Sequence, residues 1–126
     1  MSELKTFEKR LKGKIFQKLG IFAEKEVAQC LIHRGNLVRL TKPNTPVCDM
    51  EIVNTLGCRI CAQVKTNFVG DNKKRFMKLK DKKELIRIAK KRYAIPVLIT
   101  YHPHQKYMIV QNLIGGEEIV IDIYDN

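Results

Sequence analysis

The chain contains no tryptophan and few aromatic residues of any kind, 7% in all. It is also short of acidic side chains, with thirteen Asp and Glu against twenty-four Lys and Arg, a formal net charge of +11. No apolar run is long enough to cross a bilayer, which excludes a helical membrane span. The opening Met1-Ser2-Glu3-Leu4-Lys5-Thr6 is too polar for a secretory signal, so a cytoplasmic protein is expected. Low-complexity stretches, repeats and linkers are missing as well, and the 126 residues fit one domain spanning 1–126. The four cysteines do not complete a zinc set. Cys58-Arg59-Ile60-Cys61 has ligand spacing, but no second pair accompanies it, and on a strand the two thiols point to opposite faces. Buried free thiols are the expectation for Cys30, Cys48, Cys58 and Cys61.

What the chain does have is concentrated positive charge. Between Lys73 and Arg92 eleven basic residues are opposed only by Asp81 and Glu84. A second block holds Lys5, Lys9, Arg10, Lys12, Lys14 and Lys18. Any single lysine here reads as a solvated surface charge. Two dense blocks point to a polyanion, with phosphates contacted by Lys9, Arg10, Lys14, Lys42, Lys73, Lys74 and Arg75. Phe76, set among these cations, is a candidate for stacking on bases, whereas Tyr101 and Tyr107 read as packing residues.

The periodicity predicts a helix over Lys14 to His33, with Leu19, Ala23, Val27 and Leu31 on its buried stripe and Gly35 at its C-terminal end. A strand near Asn36–Leu40 and a loop from Thr41 to Pro46 follow. Asn54-Thr55-Leu56-Gly57 reads as a hairpin turn with Gly57 in the left-handed conformation. Counting back from it pairs Ile52 with Ile60, Met50 with Ala62 and Cys48 with Val64 on one face. The other face then pairs Glu51 with Cys61, Asp49 with Gln63, and Val47 with Lys65. Asn67 to Lys80 reads as a mobile basic loop, and Asp81 with Glu84 as the start of a helix ending near Tyr93. Ile95–Tyr101 is a central strand, His102-Pro103-His104 a turn rather than a metal pair, Gln105–Gln111 a strand, and Glu117–Tyr124 an edge strand or short helix. The expected class is α/β: a mixed central sheet flanked by helices in the order α-β-β-β-α-β, then β.

Glu24 lies on the stripe of Val27, Ala28 and Leu31, where a carboxylate taken alone is a boundary residue with its head in water. Lys25 and Glu26 read as ordinary surface charges. Asp49 facing Gln63 is, alone, a wet-face polar pair. The ordered set is more telling: an acid on a helix, an acid on a strand, and Gln63-Val64-Lys65 on the strand paired to it.

In Gly20–Ala28, Pro46-Val47-Cys48-Asp49 and Ala62-Gln63-Val64-Lys65-Thr66 the chain resembles the PD-(D/E)XK nuclease superfamily, in particular its small Holliday junction resolvases and Q-x-K homing-endonuclease-like members. Val47 and Cys48 separate the proline from the aspartate, and Gln63 stands where an acid is usual. The resemblance implies a divalent-metal-dependent DNA endonuclease, with Glu24, Asp49, Gln63 and Lys65 as the catalytic set. Glu24 and Asp49 would give Mg²⁺ two charges, and the Gln63 side chain and Val64 carbonyl two neutral oxygens, with Mn²⁺ as a substitute. Lys65 would position the attacking water or stabilise the transition state. The substrate implied is DNA, with a four-way junction favoured by a compact basic chain. Two cuts need two sites, so a homodimer or higher symmetric oligomer is expected, and no membrane partner. The rivals are a site-specific homing or restriction-type endonuclease, and a catalytically silent nucleic-acid-binding module.

Overall fold

The computed structural model describes residues 2–41 and 47–123, without the side chains of 2–5, 7, 8 and 16. Along the chain run α1 (Ser2–His33), β1 (Leu37–Leu40), β2 (Met50–Val53), β3 (Arg59–Thr66), α2 (Leu79–Lys91), β4 (Ile95–His102), β5 (Tyr107–Asn112) and β6 (Glu118–Asp122). One six-stranded sheet holds the strands in sequence order. Neighbours are antiparallel except β3 and β4, which are parallel because α2 carries the chain back across the sheet. The mixed sheet with flanking helices is the expected class.

Each helix packs on one face. Ala23, Val27, Ala28 and Leu31 of α1 pack on Met50, Ile52, Ala62, Val97, Ile99, Tyr101 and Met108. On the other face Leu85 and Ala89 of α2 pack on Cys48 and Cys61. Both helices end in the same hydrogen-bonded device. After α1, Asn36 N donates to Leu31 O (3.0 Å) and Gly35 N to Ile32 O (2.9 Å), with Gly35 at φ +95° as expected.

The Asn54–Gly57 turn forms as its chemistry requires. Gly57 N reaches Asn54 O (2.9 Å), Asn54 Oδ1 accepts from Leu56 N and Cys58 N, and Gly57 sits at φ +84°. It sets the expected pairs Ile52 with Ile60, Glu51 with Cys61 and Met50 with Ala62. There the ladder stops. Asp49 N donates to Ala62 O (2.8 Å), so two successive residues, Asp49 and Met50, face the single residue Ala62, a β-bulge. The expected pairs of Asp49 with Gln63, Cys48 with Val64 and Val47 with Lys65 do not form. The bulge also puts Cys48 among the α2-side residues while Met50 stays on the α1 side.

Other boundaries move for physical reasons. Helix α1 starts at Ser2, not Lys14, because 2–13 are mostly good helix formers without proline. Its first half makes no core, and Leu19, expected inside, is 41% exposed. Helix α2 starts at Leu79, two residues before Asp81, which sits in the first turn where its charge meets the helix's positive end. Glu84 pairs with Arg87 instead of capping. His102 belongs to β4, fully buried and stacked on Tyr107 (4.3 Å, 11°), and the turn follows it. The last segment gives strand β6, Glu118–Asp122, and not a helix; Tyr124 lies outside the described residues. Of the thiols only Cys48 and Cys61 are buried; Cys30 is half-buried and Cys58 exposed, and all four are free.

The segment 67–78, expected to be mobile, is tethered along its length. The fully buried Asn67 donates through Nδ2 to Asp71 Oδ1 (2.6 Å) and Lys73 O (3.0 Å). Its Oδ1 accepts from Val69 N and Gly70 N, both at 3.0 Å. Gln105 Nε2 donates to Gly70 O (2.6 Å), Tyr107 Oη to Asn72 Oδ1 (3.1 Å) and Arg75 N to Thr100 Oγ1 (3.2 Å). Asn67→Ala removes four of these bonds at a buried position. It should cost about 2–4 kcal/mol in chemical denaturation and speed hydrogen exchange selectively in 68–75. Uniform exchange across the chain would show that Asn67 does not hold the segment.

Candidate metal and phosphodiester site

The bulge makes the site. Where β2 departs, the edge of β3 beyond Ala62 is open, and Asp49 fills the gap: its Oδ2 accepts from Val64 N (2.7 Å). The Asp49 backbone is held as well, its N–H by Ala62 O and its C=O by Thr41 N (3.1 Å) and Thr41 Oγ1 (3.1 Å). Val47, two residues before, is at φ +52°, an unfavourable conformation for a β-branched residue and part of the same sharp departure. Among the described residues Oδ1 of Asp49 receives no hydrogen bond. Within a strand the N–H and C=O of one residue point to the same side, so the Val64 carbonyl faces this open edge too.

Glu24 comes from α1, half-buried beside Ala23 and Val27. Burial first, and then the charge of Asp49, push its carboxyl up to about 7. Burial also raises Asp49, opposed by the Val64 N–H and by the ammonium of Lys65. Glu24, Asp49 and Lys65 thus converge at one edge, two carboxylates that repel each other and one cation nearby. Gln63 lies two residues before Lys65, on the same face of β3. It alternates with Cys61 onto the α2 side of the sheet, 9% exposed, and its Oε1 has no hydrogen-bond partner. It makes no hydrogen bond to Asp49.

The donor chemistry fits a hard divalent ion. Two carboxylates whose ionisation is opposed by burial, an orphaned buried amide oxygen and the Val64 carbonyl are all oxygen ligands. No cluster of three or more His, Cys, Asp or Glu suited to a metal occurs among the described residues. An ion held here would therefore complete its shell with neutral oxygens and water.

The basic residues fall on α1 and on the tethered segment. Lys9, Arg10 and Lys14 lie exposed on the first half of α1. Lys73, Lys74, Arg75 and Phe76 line a concavity on the tethered segment, with Phe76 78% exposed. Thr100, which holds Arg75 N, is the register partner of Lys65, so this platform adjoins the site. Lys74 is paired with Glu118 and Arg75 lies 4.0 Å from Asp71. Lys42 and Pro46 lie outside the described residues. Glu26 is no plain surface charge: it accepts the hydroxyl of buried Tyr101. Sequence reasoning also missed Glu51, which pairs with both Arg39 and Arg92; its cross-strand partner Arg39 was a readable signal.

No family model matches the chain, and none of the curated proteins does. Among solved structures it is similar to Hjc of Archaeoglobus fulgidus, a Holliday junction resolvase from an archaeal hyperthermophile. The TM-score is 0.63 at 13% identity, over 82% of this chain and 90% of that one. The likeness establishes a shared fold.

The raised carboxyl of Glu24 has a consequence for stability. A folded pKa of about 7 against an ordinary 4.5 means the native state holds this proton more tightly. Its contribution is complete below pH 4.5 and is lost as pH rises through 7. In EDTA, Glu24→Gln should therefore melt higher than the parent at pH 8 and at the same temperature at pH 4.5. A pH-independent difference would place Glu24 in water.

Proposed function

We propose that the chain is a divalent-metal-dependent endodeoxyribonuclease that cuts branched DNA, with a four-way junction as its preferred substrate. The observation that carries the reading is the meeting of Glu24, Asp49 and Lys65 at the open edge of β3, in a fold shared with a junction resolvase. Glu24, Asp49, Gln63 and the Val64 carbonyl would hold Mg²⁺, or Mn²⁺ in its place. The ion supplies charge neutralisation at a phosphoryl oxygen and an acidified water. Lys65 stands beside Asp49, placed to hydrogen-bond the attacking water or the charge that builds on the phosphorane. Asp49, fixed by three backbone contacts, offers its Oδ1 without reorganisation. Lys73 and Arg75 on the rigid platform, with Lys9, Arg10 and Lys14 on α1, position the phosphate backbone. Phe76 faces the bases. A symmetric pair of chains would deliver two cuts.

One observation favours a second reading, a nucleic-acid-binding module that no longer cuts. Gln63 makes no hydrogen bond to Asp49 and brings no charge, leaving the donor set one carboxylate short. A labelled four-way junction, a linear duplex and a single strand, each with Mg²⁺, Mn²⁺ or EDTA, separate the two. Metal-dependent paired nicks confined to the junction are expected. Asp49→Ala and Lys65→Ala should abolish them while binding persists; continued cutting by either variant rules the site out. Gln63→Glu should lower the Mg²⁺ requirement by about tenfold through the added charge. Binding without cutting under every metal, unrescued by Gln63→Glu, would establish the silent module.

A further inference from the structure

Helix α2 breaks a rule that α1 keeps. Its last turn closes with Ala94 N on Ala89 O (2.8 Å) and Tyr93 N on Lys90 O (3.3 Å), the same two bonds that end α1. In this device the residue after the cap must be left-handed, and glycine is the usual occupant because any Cβ is strained there. In α1 it is Gly35. In α2 it is Tyr93, at φ +53°. The side chain gains nothing by packing to offset the strain: Tyr93 is 91% exposed. An aromatic ring held in solvent at a conformational cost is a feature that stability alone does not explain.

The surroundings of the ring are specific. Helix α2 covers β3 and β4 but leaves the same face of β1 and β2 open, and an open cavity of about 570 Å³ lies between those strands and the end of the helix. Arg39, Arg59, Lys91 and Arg92 surround it, against the single carboxylate of Glu51. Glu51 is paired with both Arg39 and Arg92, which fixes their guanidinium groups on the two sides of the cavity. Neither Arg59 nor Lys91 forms a salt bridge among the described residues, Lys91 acting on Glu84 only at longer range. The floor is apolar, formed by Val53, Cys61 and Ala94. Glu51 is two residues along the chain from Asp49, but none of Glu24, Asp49, Gln63, Val64 and Lys65 lines the cavity, which is a separate place on the molecule.

We propose that this cavity is a second nucleic-acid subsite, in which Tyr93 stacks on an unpaired base while Arg59 and Lys91 hold the phosphates flanking it. The inference rests on the DNA-cutting reading and adds a substrate feature to it: unpaired nucleotides beside the duplex that is cut. A fixed excess of positive charge selects a polyanion. An exposed ring over an apolar floor contributes only where a base face is free, because bases in a continuous duplex are already stacked.

Two fluorescent probes test it in EDTA: a blunt DNA duplex, and the same duplex carrying a single-stranded thymidine tail. The parent protein should bind the tailed probe more tightly. Tyr93→Gly should bind the tailed probe about tenfold more weakly and leave the blunt duplex unchanged, and its Tm should rise because the left-handed position is relieved. Tyr93→Phe should keep the preference and Tyr93→Leu lose it. The double variant Arg59→Ala with Lys91→Ala should reduce the salt dependence of tailed-probe binding by about two in log–log slope. Undiminished tail binding by Tyr93→Gly, or equal losses on both probes, would overturn the subsite while the parent's junction cutting stands. A parent that binds neither probe would remove the nucleic-acid reading itself.

Discussion

The hydrogen bond from Val64 N to Asp49 Oδ2 is the contact on which the candidate chemistry depends. It takes the place of the ladder bond that β2 would have made had it continued. A side chain thus satisfies a strand edge that backbone would otherwise cover. The exchange has two effects. The carboxylate is anchored by one oxygen and left free by the other, and the β3 edge is opened without stranding its N–H. A regular hairpin would have buried that edge under Cys48 and Val47.

Electrostatics at this edge run against the rest of the molecule. In a chain of net charge +11 a pair of acids ought to find cations easily, yet burial and mutual repulsion leave Glu24 with its proton bound to about pH 7. Lys65 moderates Asp49 but lies at the edge of the pair. Glu51 provides the contrast, since two arginines neutralise it. One carboxylate in the same sheet is committed to structure, and two nearby are left short of positive charge. A divalent ion is the partner whose chemistry fits that deficit.

Much of the fold was legible because it is written in local chemistry. The turn at Asn54–Gly57, the glycine ending α1 and the buried stripe of Ala23, Val27 and Leu31 each follow from neighbouring residues. The same chemistry set the register correctly as far as Met50. It erred one residue later, because counting pairs assumes an unbroken ladder, and a bulge is decided by tertiary contacts such as those of Thr41 with Cys48 and Asp49. Asp49 still reaches β3, by its side chain instead of by a ladder pair. Residues 67–78 misled for the opposite reason: their lysines read as solvent-seeking, while the ordering comes from one buried asparagine and from Gln105 and Tyr107, remote in sequence.

The first half of α1 carries a different consequence. From Lys9 to Leu19 every described side chain is exposed, so this stretch draws no stability from the core. It contains Gly13, and its cations crowd the positive end of the helix, both unfavourable to helix formation. Helices of this length without tertiary support are marginal in water. Its helix content is therefore sensitive to counter-ions and gains when anions neutralise Lys9, Arg10, Lys12, Lys14 and Lys18. The arm thus couples its own coil-to-helix equilibrium to the ionic medium, and a strand of phosphates laid along it would be the most concentrated counter-ion it could meet.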